Sequence, residues 1–162
     1  MTRTAHAGVG ATLVAPVPAL TDSICDELAV RISIGAGTGS AVEGGLDGQW
    51  VGRLRHIGAA KLRLWGLAAL VDDAQLLISE LVTNALRYGK GGEVEFRLVI
   101  TLRGLLIAVD DGSAHRPRLS VAGAGDETGR GLYLVAAFAD DWGVSPDGRA
   151  TWCTLSVAGA SR

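Results

Sequence analysis

The sequence lacks the features that would place it at once in several common classes of protein. It has two cysteines, Cys25 and Cys153, which lie far apart and show no metal-binding or redox spacing. We interpret both as buried or partly buried thiols in a reducing compartment. No apolar run approaches the roughly 18 residues that a membrane span requires. The net charge of −2 lacks the basic excess of a nucleic-acid-binding protein. These absences favour a cytoplasmic protein that binds neither nucleic acid nor membrane.

The composition is that of an ordinary globular domain. The 162 residues are 48% hydrophobic and 20% charged, and a chain of this length buries roughly 70% of its unfolded surface. Near the start, an apolar patch is interrupted by Pro16 and Pro18, and no signal-peptide cleavage site follows. We predict a flexible leader over residues 1–22 and a single domain over residues 23–162.

Hydrophobic periodicity predicts an α/β (α+β) domain. Alternating apolar residues predict a strand at Glu27–Ile34, and a glycine-rich connection leads to a helix from Asp47 to about Trp65. A second helix, Val71–Gly89, follows after a short link. The other predicted elements are strands at Glu93–Leu102 and Leu105–Asp111, a helix at Leu132–Ala139, and closing strands at Asp140–Ser145 and Ala150–Val157.

The predicted helix Val71–Gly89 is the element around which the chain is organised. Asp72 is the predicted N-cap, with Gln75 completing a capping box, and Gly89 occupies the C-cap position. A broad apolar stripe at three- and four-residue spacing indicates that one side packs on a core. This stripe consists of Leu76, Leu77, Ile78, Leu81, Val82, Ala85 and Leu86.

The other side of this helix carries Glu80, Asn84 and Arg87, at positions i, i+4 and i+7. Asparagine is a poor helix former, so its presence in mid-helix is unusual. A carboxylate and a carboxamide one turn apart could serve a proton acceptor and a hydrated metal ion. The alternative is a solvated polar face with no binding function.

An acidic pair ends the strand Leu105–Asp111. Asp111 precedes Gly112 and Ser113, and a carboxylate in this position can accept a hydrogen bond from an exocyclic amine such as that of adenine. Because side chains alternate along a strand, only one of Asp110 and Asp111 can point into a pocket. The alternative for either residue is an ordinary aspartate in a turn.

A glycine motif opens the third predicted helix. Thr128, Gly129, Arg130 and Gly131 precede its apolar run, and the free N–H groups and positive dipole at a helix N-terminus favour a phosphate. Arg130 can add charge; the alternative is an ordinary N-cap. The long segment between the acidic pair and this motif has no periodicity, as in a lid, a binding loop or a disordered segment.

Three stretches together resemble the boxes of the histidine-kinase-like ATPase superfamily (the GHKL or Bergerat fold). ELVTNALRYG at 80–89 resembles the asparagine box, VDDGS at 109–113 the adenine aspartate box, and TGRGLYLV at 128–135 the last glycine box. Their wording is most similar to bacterial anti-sigma-factor serine/threonine kinases and their small single-domain relatives. The resemblance, over about Val51 to Leu155, implies a two-layer sandwich with a mixed, mostly antiparallel sheet and helices on one face.

The resemblance also implies a role for each matching residue. Asn84 would coordinate Mg²⁺, Glu80 would orient or deprotonate the attacking group, and Asp111, or its neighbour Asp110, would bind the adenine amino group of ATP. Residues 112–127 would form the ATP lid. The remaining implied nucleotide-binding residues are Arg87, Ser113, Thr128, Gly129, Arg130, Gly131 and Leu132. Ser113 and His115 replace glycines of the family pattern, which puts the catalytic rate in doubt more than ATP affinity.

The function that the resemblance implies is a kinase that phosphorylates an anti-sigma-factor antagonist protein. It would also sequester a sigma factor, and so regulate transcription by partner switching; a homodimer is left open. The alternative is an ATP-binding module that binds a partner with little or no turnover. A detached histidine-kinase catalytic domain is disfavoured because His56 precedes Ile57 rather than an acid. A gyrase-type or mismatch-repair-type ATPase is disfavoured because no transducer domain follows.

Overall fold

The computed structural model describes residues 17, 24–34, 46–90, 92–113 and 130–157. Within them, each predicted helix and strand is present, and the boundaries differ by at most three residues. The strands are β1 (Ile24–Ser33), β2 (Glu93–Thr101), β3 (Gly104–Asp110), β4 (Asp141–Val144) and β5 (Ala150–Ser156). The helices are α1 (Leu46–Leu64), α2 (Val71–Tyr88) and α3 (Arg130–Phe138), with a 3₁₀ turn at Ala68–Leu70.

The five strands form one sheet in the order β1-β2-β3-β5-β4. Every strand pair in the described part of the chain is antiparallel. The three helices lie on one face of this sheet, with α2 packed between α1 and α3. The predicted α/β (α+β) two-layer fold with helices on one face is therefore confirmed.

The main core lies between the sheet and α2. Alternate residues of β2, such as Phe96 and Leu98, point toward the helices and are fully buried, as the two-residue period of a strand requires. Leu77, Ile78 and Leu81 of α2 pack into the same cluster. Because this stripe of α2 is committed to the core, the opposite side of the helix is left available for polar side chains.

The start of α2 differs from the prediction. The helix continues directly from the 3₁₀ turn, so its N-cap is Leu70, which makes no side-chain capping bond among the described residues. The predicted capping role of Asp72 is wrong, although its charge lies in the first turn, where the helix dipole favours an acid. Gln75 instead donates a hydrogen bond to the backbone oxygen of Arg55 in α1.

The opposite face of the sheet carries a second, smaller apolar cluster. It consists of Val17, Val99, Leu106, Ala108 and Trp152. Val17 is the one described residue of the predicted leader, and only 9% of its surface is exposed. The other residues of the leader lie outside the described part of the chain, so its flexibility and the domain boundary at residue 23 stay predictions.

The burial of the two cysteines and the character of the helices were predicted from the sequence. Cys153 is buried, as predicted, and burial raises the pKa of its thiol. Cys25 is exposed near the start of β1, so the prediction that it is buried or partly buried is wrong. Among the described residues, no helix has both the length and the apolar character needed to cross a bilayer.

Candidate functional site

The polar side of α2 and the first turn of α3 meet around one small cavity. Glu80 and Asn84 lie on the side of α2 that its buried stripe leaves free, and Gly131 approaches them from α3. The structure therefore brings together residues from the first and last of the sequence motifs. The cavity is lined by Glu80, Thr83, Asn84, Arg87, Tyr88, Gly131 and Leu132.

Glu80 is half-buried in this cavity and packs against the backbone of α3. A Cβ atom placed on Gly131 would lie 2.7 Å from Glu80 Oε2. Burial raises the pKa of the Glu80 carboxyl group, and the nearby charge of Arg87 opposes this rise. A carboxylate whose pKa is raised holds an accepted proton more readily than an ordinary surface glutamate does.

Tyr88 is a cavity residue that sequence reasoning missed. Its hydroxyl group is buried and has no hydrogen-bond partner in the described part of the chain. Buried polar groups are nearly always paired, so such a group calls for an explanation, and a ligand is one of the usual ones. Its position one turn after Asn84, on the side that carries Glu80, was the signal that could have identified it.

Asp111 follows β3 on the face of the sheet that carries the helices. Val109, two residues earlier, is buried in the main core, and the alternation of the strand puts Asp111 on the same side. A Cβ atom on Gly89 would lie 3.0 Å from Asp111 Cβ and would collide with the backbone oxygen of Ala85. Asp111 therefore packs against the C-terminal end of α2, next to the residue that follows Tyr88.

The same geometry explains Gly89. It occupies the C-cap position as predicted, but its φ is −65°, so it does not adopt the left-handed conformation of a typical C-cap glycine. Glycine suits this position because a side chain would meet Ala85 and Asp111. Its role is the close approach of α2 to the end of β3.

Asp110 points to the opposite face of the sheet. Its Oδ1 lies 3.8 Å from Arg149 Nε and accepts a hydrogen bond of 2.8 Å from the Gly112 amide. Asp111 Oδ1 accepts hydrogen bonds from the amide and the hydroxyl of Ser113, at 2.8 and 2.7 Å. Of the two acids, therefore, only Asp111 lies on the side of the helices.

The last motif is described in part. Helix α3 begins at Arg130, so Gly131 lies in its first turn, where backbone N–H groups have no partner within the helix. Leu132 is buried, with 4% of its surface exposed. The described residues do not include Thr128, Gly129, residues 114–127 of the predicted lid, or the side chain of Arg130.

Comparison with known proteins identifies the family. The model of the histidine kinase-like ATPase domain matches residues 49–155, from α1 through most of β5, and the chain belongs to this family. No curated protein matches the chain. The matched range spans all three motifs, so the resemblance to the histidine-kinase-like ATPase superfamily is confirmed. Membership also supports ATP as a ligand of the protein.

Proposed function

We propose that the protein is a serine/threonine kinase that binds ATP and Mg²⁺ between α2 and α3. It transfers the γ-phosphoryl group to a regulatory antagonist protein. The observation that carries the proposal is the shared cavity of Glu80, Asn84 and Gly131. A proton acceptor, an oxygen ligand for a cation and free amides for phosphate are the groups that phosphoryl transfer requires.

The cavity fits a nucleotide in two respects that do not depend on the motifs. The Tyr88 hydroxyl is a buried donor in need of an acceptor, and a phosphate or ribose oxygen supplies one. Gly131, in the first turn of α3, lines the cavity with its backbone alone. Both features suit an anionic, oxygen-rich ligand.

Each residue has one role in this proposal. Asn84 would hold Mg²⁺ through its amide oxygen, and the bound ion would supply positive charge beside the phosphates. Glu80 accepts the proton of the attacking hydroxyl group. Asp111 Oδ2 accepts a hydrogen bond from the adenine amino group, because Ser113 already donates hydrogen bonds to Oδ1. The proposed phosphate contacts are Arg87, Thr128, Gly129, Arg130, Gly131 and Leu132.

The proposed partners are inferred from the amino-acid sequences of two motifs. ELVTNALRYG and TGRGLYLV are most similar to anti-sigma-factor kinases, so the substrate is an antagonist protein and a sigma factor is a second binding partner. We place the protein in the cytoplasm, where ATP and such partners occur. We also propose that residues 1–22 form a leader and that residues 23–162 form a single domain. The proposal holds for a monomer and for a homodimer.

A second function, an ATP-binding module with little turnover, is favoured by one observation. Ser113 stands where the family has a glycine, and both its amide and its hydroxyl bond to Asp111. This arrangement holds the start of the predicted lid against the adenine-binding acid. Such a module would retain ATP affinity and partner binding but transfer phosphate slowly.

Incubation with γ-labelled ATP and candidate antagonist proteins separates the two functions. Label on a serine or threonine of the partner supports the kinase. Partner binding that depends on ATP, without label transfer, supports the module. Absence of Mg²⁺-dependent ATP binding would reject both functions.

Replacing Tyr88 by phenylalanine tests whether the cavity binds the nucleotide. We expect ATP affinity to fall by about tenfold to 150-fold, because a hydrogen bond to a charged group contributes roughly 1.5–3 kcal/mol. The free energy of unfolding without ATP should not decrease, because the hydroxyl has no partner to lose among the described residues. Isothermal titration calorimetry and thermal unfolding measure the two effects.

Tyr133→Phe is the matched control, because Tyr133 is the other of the two tyrosines and is not among the residues that line the cavity. Its ATP affinity should equal that of the parent. Equal ATP affinity of Tyr88→Phe and the parent would show that the hydroxyl does not contact the nucleotide.

A further inference from the structure

Gly131 and Glu80 make a contact that sequence motifs do not reveal. An ideal Cβ on Gly131 would lie 2.7 Å from Glu80 Oε2, 3.7 Å from Glu80 Cδ and 4.0 Å from Glu80 Cβ. Real Cβ atoms essentially never come within 3.0 Å of such a neighbour. The position of this carboxylate therefore requires that residue 131 have no side chain.

The contact involves only the far end of a flexible side chain. The atom closest to the Cβ position is the carboxylate oxygen, and the Glu80 Cβ lies at the limit of contact. Rotation of the Glu80 side chain would relieve its close contact with a methyl group at residue 131 without moving the backbone of α2 or α3. A substitution here should therefore redirect the carboxylate and leave the fold intact.

We propose that Gly131 is a positioning residue for Glu80, in addition to any contact of its amide with phosphate. The absence of a side chain at residue 131 lets the carboxylate of α2 lie against the first turn of α3, where the attacking hydroxyl and the γ-phosphate meet. This inference rests on the proposed kinase function. It assigns Gly131 an effect on the rate of transfer that is separate from ATP affinity.

Gly58 supplies a matched control. A Cβ on Gly58 would also meet a side-chain atom at 2.7 Å, but that atom is Ile78 Cδ1 in the core between α1 and α2. Gly58→Ala introduces the same methyl group at the same distance from a neighbour, outside the cavity. Gly58→Ala should change the stability of the protein, but its kcat should equal that of the parent.

The decisive experiment measures kcat and ATP affinity for Gly131→Ala, Glu80→Asp and the double variant. We expect Gly131→Ala to lower kcat by roughly tenfold to a hundredfold, the usual effect of displacing a catalytic group by about 1 Å. Its dissociation constant for ATP should stay within about twofold of that of the parent, because alanine keeps the backbone amide that is proposed to contact phosphate. Aspartate is one methylene shorter, so Gly131→Ala should cause little further loss of kcat in the Glu80→Asp background.

Thermal unfolding without ATP, measured for Gly131→Ala in the parent and in a Glu80→Ala background, gives a readout that does not depend on catalysis. The change in Tm caused by Gly131→Ala should differ between the parent and a Glu80→Ala background, because only the parent has a carboxylate to displace. The gain in helix propensity on replacing glycine is the same in both backgrounds and cancels in the comparison.

Three outcomes would overturn the inference. These are an equal effect of Gly131→Ala on Tm with and without Glu80, a full additional loss of kcat in the Glu80→Asp background, and weakened ATP binding with kcat unchanged. Failure of the kinase proposal is recognised separately, because the parent protein itself would then transfer no phosphate while the unfolding comparison still tests the contact.

Discussion

Replacing Glu80 with glutamine should lower the rate of phosphoryl transfer by about 10²–10⁴-fold, the usual contribution of a positioned general base. Glutamine keeps the size of the side chain and its place against Gly131 but cannot accept a proton. ATP affinity should change little, because Glu80 has no proposed contact with the adenine or the cation. Transfer of label from γ-labelled ATP and equilibrium ATP binding measure the two quantities.

Ser79→Ala is the control for this variant. Ser79 neighbours Glu80 on α2, but its hydroxyl bonds to the backbone oxygen of Gln75 within the same helix. Its rate of transfer should match that of the parent. Unimpaired transfer by Glu80→Gln would reject the assignment of Glu80 as the proton acceptor.

Glu80→Gln should be more stable than the parent at neutral and alkaline pH. Burial raises the pKa of Glu80 in the folded protein above its ordinary value of 4.5. The folded state therefore favours the protonated form of Glu80. The stability that this preference contributes to the parent is complete below the ordinary pKa and is lost as the pH rises through the folded-state pKa. Thermal unfolding should show a higher Tm for Glu80→Gln at about pH 8, and the difference should narrow as the pH falls toward 4.5.

Replacing Asn84 with alanine should remove the dependence of ATP binding on Mg²⁺. Asn84 is the only asparagine in the chain, and its amide is the proposed protein ligand of the cation. Affinity in the presence of Mg²⁺ should fall to the value measured with a chelator, because Mg²⁺ would no longer link the nucleotide to α2. Calorimetric titrations with ATP, with and without Mg²⁺, measure the change.

Stability distinguishes this effect from unfolding. Alanine is the better helix former by up to roughly 0.7 kcal/mol, so Asn84→Ala should not lower the free energy of unfolding of the protein without ligand. An asparagine kept in mid-helix against this preference is expected where function outweighs stability. Unchanged Mg²⁺-dependent affinity in Asn84→Ala would remove this residue from the proposed site.

Local sequence patterns predicted the elements well because the spacing of apolar residues marks the buried faces of helices and strands. The apolar spacing of α2 identified most of its buried stripe, although Leu76 and Leu86 are only partly buried. The start of α2 was predicted less well. A capping box at Asp72 is a local signal. In the structure the 3₁₀ turn Ala68–Leu70 leads directly into α2, so Leu70 is the N-cap and Asp72 lies inside the helix.

The choice between Asp110 and Asp111 illustrates what local patterns leave open. Alternation allowed only one of them to face a pocket, but the pattern did not say which side of β3 would carry the helices. The packing of α2 on the side of Val109 decided it, and Asp110 was left to pair with Arg149 on the other face.

The sequence by itself determined the types and order of the elements, the polar side of α2 and the family motifs, because these depend on residues close together in the chain. Only the tertiary structure brought Glu80 against Gly131, left the Tyr88 hydroxyl without a described partner, and placed Asp111 at the end of α2. Those contacts join residues from different elements, and their distances depend on how α2 and α3 pack on the sheet.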